Sequence, residues 1–154
     1  SSNIFGSTDW HILTIDNSAG VSISSGTHNI FGILNLVSGS FNTANSVTLK
    51  SDASGTAQMD DIESGSIIGN ITVERLLSMG TQGWREITSP VQGTNLIDWQ
   101  NNGIIFSGFS NSTFPNFSWV NALSYSEPNA LGNKNNGWVD ATDALSNATG
   151  PSKG

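Results

Sequence analysis

The densest group of side chains able to do chemistry is Asp60-Asp61-Ile62-Glu63. Hard carboxylate oxygens on one turn are the donors that hold Ca2+. Two carboxylates facing a single bond are the apparatus of a glycosidase. Adjacency does not place two carboxylates across a bond, and neither an EF-hand loop nor a nonapeptide Ca2+ repeat surrounds them. A solvated turn is therefore the favoured reading, with Ca2+ as the one cofactor left open. Asp140 and Asp143 carry the same choice, and a third option as caps of a short helix over 140–145. The two histidines, His11 and His28, lie in no His-Glu-x-x-His pattern. There is no Gly-x-Ser-x-Gly elbow and no glycine-rich phosphate loop. Both imidazoles are expected on strand surfaces, and no catalytic residue is assigned.

Aromatic rings are the better binding candidates. Trp99, Trp119, Tyr125 and Trp138 lie among Asn-rich and Asp-bearing segments. An exposed ring offers a flat apolar face to a sugar while neighbouring amides and carboxylates supply hydrogen bonds. The same rings can fill a core, because each carries a large buried area. Trp84 is expected in the core; Trp119 and Trp138, flanked by Asn-rich turns, are expected to be more open. Glu74-Arg75 and Arg85-Glu86 suggest opposite charges meeting across an antiparallel ladder. Asn70, Asn111, Asn116 and Asn147 match the glycosylation sequon, as chance allows in so Asn- and Thr-rich a chain.

The elements that must position these residues follow from composition. Charged residues make up 11% of the 154, against about 25% in average proteins. Ser, Thr and Asn supply the polar surface, together with 17 Gly. Such side chains compete with helical backbone for hydrogen bonds and favour turns and strand edges. The net charge is −7, with five Lys and Arg. That excludes the clustered cations that a nucleic-acid backbone or an anionic membrane surface requires. With no Cys, disulfides and thiolate metal sites are excluded. No apolar run is long enough to span a membrane.

Short β-prone runs dominate the first half: Trp10–Ile15, Val21–Ile23, Thr27–Val37, Val47–Lys50 and Thr56–Met59. Ser25-Gly26, Ser38-Gly39 and Ser64-Gly65 recur between them. Loose repetition of one small unit is the mark of a solenoid. A parallel β-solenoid is favoured over a meander or sandwich for residues 10–70. Gly65–Val91 reads as two strands around a glycine turn, with Ile71, Val73 and Leu76 facing a core. Beyond it, Asn95–Trp99 suggests one helical turn, and Ile104–Phe106, Val120–Tyr125 and Trp138-Val139 suggest strands. The expected fold is all-β: a repetitive, solenoid-like region over 1–68, then a β-sandwich-like domain over 69–154, incomplete at its C-terminus. The start at Ser1, without Met or a signal segment, and a tail over 147–154 without a large apolar anchor suggest a piece of a longer polypeptide.

One ordered set of motifs carries a resemblance. It comprises Ser51–Ala57, Gly69-Asn-Ile-Thr-Val-Glu-Arg75, Gly83-Trp84-Arg85 and Ser89-Pro90-Val91, followed by Tyr125, Trp138 and Ala141–Leu145. Over roughly residues 25–150 the chain resembles large secreted and cell-surface β-repeat proteins of gliding and related Bacteroidota, exported by the type IX secretion system. The resemblance implies an extracellular or cell-surface, adhesin-like segment, or an accessory module of a secreted enzyme; the sparse His and charged residues favour the non-enzymatic reading. It also implies glycans or surface polymers, secretion machinery and the rest of a longer chain as partners. The alternative is an accessory carbohydrate-binding or β-helical part of a secreted polysaccharide-degrading enzyme. The resemblance assigns no catalytic residue.

Overall fold

The computed structural model describes residues 1–62, 64–77, 83–91 and 93–145. The chain divides into two units, Ser1–Gln82 and Gly83–Gly154.

The first unit is built from ten strands: β1 (Ser2–Ile4), β2 (Thr8–Asp16), β3 (Val21–Ile23), β4 (His28–Asn42), β5 (Val47–Leu49), β6 (Ser51–Asp52), β7 (Gly55–Thr56), β8 (Gln58–Met59), β9 (Ser64–Ile68) and β10 (Ile71–Val73). Eight of them form one sheet in which every pairing is parallel. A meander would pair consecutive strands antiparallel; parallel pairing of short consecutive strands is the arrangement of a β-solenoid. Ser2 lies against Val21, Thr8 against His28 and Asp16 against Ser38, so the first coil takes about twenty residues. The next coil is longer because the β6–β7 hairpin is inserted in it, the one antiparallel pair among the described residues of this unit.

Stacking coils in register turns scattered apolar residues into columns. One column runs Trp10, Ile30, Leu49, Val73, another Val21, Phe41, Ile67, and a third Leu13, Leu34, Met59. Ile30, Leu34 and Phe41 are fully buried. Ile15, Ile23, Leu36, Val47 and Ala57 complete the same core. β-branched and aliphatic residues suit these positions because their stiff side chains pack on a pleated surface.

The corners explain the recurring Ser-Gly pairs. Ser38-Gly39 and Ser64-Gly65 are stacked one on the other. Gly39 has φ +79, and a Cβ there would overlap the Asn17 carbonyl oxygen. Only glycine combines that conformation with that approach. The sequence pattern predicts a strand end at Ser38-Gly39; β4 instead runs through it, because the ladder continues on both sides.

Several sequence expectations change here. His28 is fully buried rather than at the strand surface, because its register position continues a core column between Thr8 and Val47. Ile71 and Val73 pack on the core as expected, but Leu76 lies beyond the end of β10 and is exposed. Ile71–Val73, expected to open the second domain, pairs in parallel with Val47–Leu49 of the first unit. Residues 84–91 form no strand, so the antiparallel charge ladder is absent. Glu74 instead pairs with Lys50 at 2.5 Å, and Arg75 donates to the Glu74 carbonyl. The glycine turn over 78–82 lies outside the described residues.

The second unit contains α1 (Leu96–Asn101), β11 (Leu123–Tyr125), α2 (Glu127–Ala130), a 3-10 turn (Lys134–Gly137) and β12 (Trp138–Asp140). The Asn95 N–H donates to the Asp98 carboxylate at the start of α1, relieving an orphan donor. Phe106, Phe109 and Ala144 are buried, with Trp99, Ile104 and Val120 packed on them. β11 and β12 form an antiparallel pair. Among the described residues this pair and two isolated bridges make up the sheet structure of the unit, where two packed sheets were expected. Ile104–Phe106 is not a strand: the Phe106 N–H is taken by the Thr113 hydroxyl. Nor is 140–145 a helix, since Asp140 ends β12 and Asp143 bridges Ser110. Short polar side chains satisfy the backbone here in place of a ladder.

Candidate functional site

The carboxylates do not gather. Asp60 and Asp61 are exposed, and the Asp61 N–H donates to the Asp60 carboxylate at 3.0 Å. Glu63 lies outside the described residues. Asp140 sits opposite Leu123 in the β11–β12 pair. Asp143 accepts from the Asn111 amide at 2.8 Å and from the Leu145 N–H at 3.0 Å. Those two bonds, the amide first, hold its carboxyl below the usual carboxylate value. Asp143 thus ties two loops together. Among the described residues, no three His, Cys, Asp or Glu side chains form a group able to hold a metal ion.

The histidines separate in role. His11 is exposed. The His28 ring stacks on Trp10 with centroids 5.0 Å apart and planes 15° from parallel. Its Nε2 lies 3.1 Å from the Ser25 carbonyl, to which Nε2–H donates. Its Nδ1 is buried with no partner among the described residues. The signal for this burial is present in the sequence as the twenty-residue spacing from Thr8, but it becomes visible only once the coil length is known.

The aromatic candidates divide three ways. Trp99 stacks on Phe106 at 6.4 Å within the core of the second unit. Trp119 is 64% exposed, at the end of a loop anchored by the Ser107 hydroxyl donating to its carbonyl at 3.0 Å. Tyr125 and Trp138 are directly opposite in the β11–β12 register, and their rings meet edge-on with centroids 5.0 Å apart. Tyr125 borders an open groove of about 390 Å³ that Glu127, Ala130, Leu131 and Lys134 also line. Gly137 lies against the Tyr125 ring, where a Cβ would come within 2.5 Å. The structure therefore brings Tyr125 and Trp138 together, with Tyr125 lining the groove and Trp138 packed against its ring, and places Trp119 on its own loop. Glu127, Leu131 and Lys134 are not singled out by the sequence. No spacing marks them; they converge because α2 ends at Leu131 with φ +42 and the chain turns back. Trp84, expected in the core, is 62% exposed, since its segment forms no strand that would carry it inward.

The chain matches no protein-family model, no curated protein sequence and no solved structure. No helix among the described residues is long and apolar enough to cross a membrane.

Proposed function

We propose that this chain is a non-enzymatic structural and binding segment of a secreted or cell-surface, adhesin-like protein, exported by the type IX route that its motifs suggest. The observation that carries this reading is how the first unit uses its polar side chains. Asn29 donates to Asp9 at 2.8 Å, Asn35 to Thr14 at 3.3 Å and Ser38 to Asp16 at 2.6 Å, each across one coil step. Groups that would otherwise serve a reaction are occupied in joining coil to coil. The product is a stack of coils suited to spacing and display.

A second reading, an accessory carbohydrate-binding part of a polysaccharide-degrading enzyme, is favoured by the Tyr125–Trp138 pair. An aromatic face beside a carboxylate and an ammonium is a setting for a sugar ring with polar substituents. A glycan array run alongside a reducing-end assay on soluble polysaccharides tests both. Retention of glycans that is lost in Trp138→Ala, with no new reducing ends, supports a binding segment. Release of reducing ends by the purified chain overturns the non-enzymatic reading.

A further inference from the structure

Between Asp98 and Glu127 the chain carries no charged residue. Within that stretch Phe114, Phe117 and Trp119 fall in six consecutive residues and are 55%, 60% and 64% exposed. Single exposed apolar residues are ordinary on a protein surface, but large rings gathered on one segment mark an interaction site.

The loop that bears these rings is held in place by its own unit. The Phe114 N–H donates to the Phe106 carbonyl at 3.1 Å, and the Gly108 N–H donates to the Phe114 carbonyl at 3.0 Å. The Ser107 hydroxyl donates to the Trp119 carbonyl, while the Asn121 amide spans the Ser107 N–H and the Ile105 carbonyl. Gly108 packs so closely on the Trp119 carbonyl oxygen that a Cβ would come within 2.5 Å. Phe106 and Phe109 of the same stretch turn inward and anchor the loop on the core. The outward rings therefore stand on a backbone fixed at both ends, which lowers the ordering cost of binding.

The surroundings of the rings define the ligand. Asn116 and Ser118 are exposed between them and can donate and accept hydrogen bonds. The groove beside Tyr125 offers a carboxylate and an ammonium; this loop offers neither. A charged ligand would give up hydration here for no countercharge, against a chain of net charge −7. In a β-linked polysaccharide the C–H bonds gather on a flat apolar ribbon face and the hydroxyls point to its edges. Aromatic rings with an amide and a hydroxyl among them match both features.

We propose that the Phe114–Trp119 loop is a binding platform for an uncharged β-linked polysaccharide, whose ribbon face rests on the exposed rings, Trp119 foremost, and whose hydroxyls bond Asn116 and Ser118. This deepens the reading of the chain as a binding segment and rests on it. The platform is a second site, separate from the Tyr125–Trp138 pair.

Affinity electrophoresis of the 154-residue chain is the test, in native gels containing hydroxyethyl cellulose, galactomannan or arabinoxylan, with carboxymethyl cellulose as the charged counterpart. At least one neutral polymer should retard the chain, and carboxymethyl cellulose should retard it less. Trp119→Ala should weaken that binding about tenfold or more, and Phe117→Ala by a smaller factor. Both rings are exposed, so the fold should persist, which circular dichroism checks. Trp138→Ala should be retarded like the parent. Retardation that survives Trp119→Ala overturns the platform, and its loss in Trp138→Ala then assigns the polymer to the Tyr125 pair. No retardation by any of the three overturns the platform alone if a glycan array still retains oligosaccharides through Trp138, and both carbohydrate readings if it does not. Equal or stronger retardation by carboxymethyl cellulose overturns the assignment of an uncharged ligand. Co-sedimentation with phosphatidylcholine vesicles that depends on Trp119, without retardation by the polymers, overturns the proposal in favour of a lipid surface.

Discussion

The two units reach an ordered backbone by different means. In the first, the polar and apolar residues of each coil find partners about one coil away, so a short pattern repeated gives a continuous core. In the second, a few rings and small residues are buried, and much of the backbone is held by Asn, Ser and Thr side chains bonding to nearby loops. The Asn121 amide spans the Ser107 N–H and the Ile105 carbonyl, and the Ser112 hydroxyl donates to the Phe109 carbonyl. The difference teaches that one composition, rich in Ser, Thr and Asn, serves as ladder decoration where apolar residues recur at coil spacing and as loop mortar where they do not.

That contrast can be broken first at the largest of the fully buried side chains. Phe41 is fully buried in its column and Trp84 is mostly exposed. Phe41→Ala should destabilise the first unit by about 3–5 kcal/mol. Trp84→Ala should change stability by about 0.5 kcal/mol or less. Urea unfolding of both variants checks the pair, and equal losses would show that the exposed segment is as tightly packed as the columns.

The corners give the next effect. Gly39→Ala meets the Asn17 carbonyl at a positive φ and should cost about 2–3 kcal/mol. Gly103 has φ +98 and open space where a Cβ would stand, so its change to Ala should cost only the backbone term of about 1 kcal/mol. Thermal unfolding of the two variants measures the difference; indistinguishable midpoints would mean that stacking does not constrain the corner.

His28 sharpens the picture of the column. Its buried Nδ1 has no partner among the described residues, and its column neighbour Val47 is apolar. Removing the ring removes the orphaned nitrogen, and the Ser25 carbonyl it leaves belongs to an exposed residue and can bond water instead. His28→Leu should therefore fall within about 1 kcal/mol of the parent, or above it. A loss well beyond that in denaturant titration would show that the stack on Trp10 and the bond to Ser25 outweigh the orphaned nitrogen.

The smallest effect belongs to pH. Asp143 has a folded pKa below its ordinary value of 3.8, because its charged form accepts the Asn111 and Leu145 hydrogen bonds. Its contribution is therefore fully present above the ordinary carboxylate range and is lost as pH falls through the lowered value. Asp143→Asn should flatten the acid side of the stability profile of the second unit and leave the first unit unchanged. Amide exchange followed from neutral to acid pH reads this, and an unaltered acid slope would remove Asp143 from the account.

Much of the first unit is legible in the residues. Trp10–Ile15, Val21–Ile23 and Val47–Lys50 read as strands because their apolar and β-branched residues are followed by Asp16-Asn17, Ser25-Gly26 and Ser51-Asp52, and the recurring Ser38-Gly39 and Ser64-Gly65 pairs prove to be stacked corners. The candidate site is less legible. Tyr125 and Trp138 are each visible as rings, but their meeting depends on an antiparallel pairing across α2 and the 3-10 turn. Composition and the recurrence of short runs by themselves determined a β-rich chain with solenoid character, since those are properties of local propensity. Only the tertiary structure decided that His28 lies inside, that Trp84 lies outside and that Glu74 pairs with Lys50. Burial and pairing depend on which coil stacks on which, and coil length is set by long-range register that no single segment encodes.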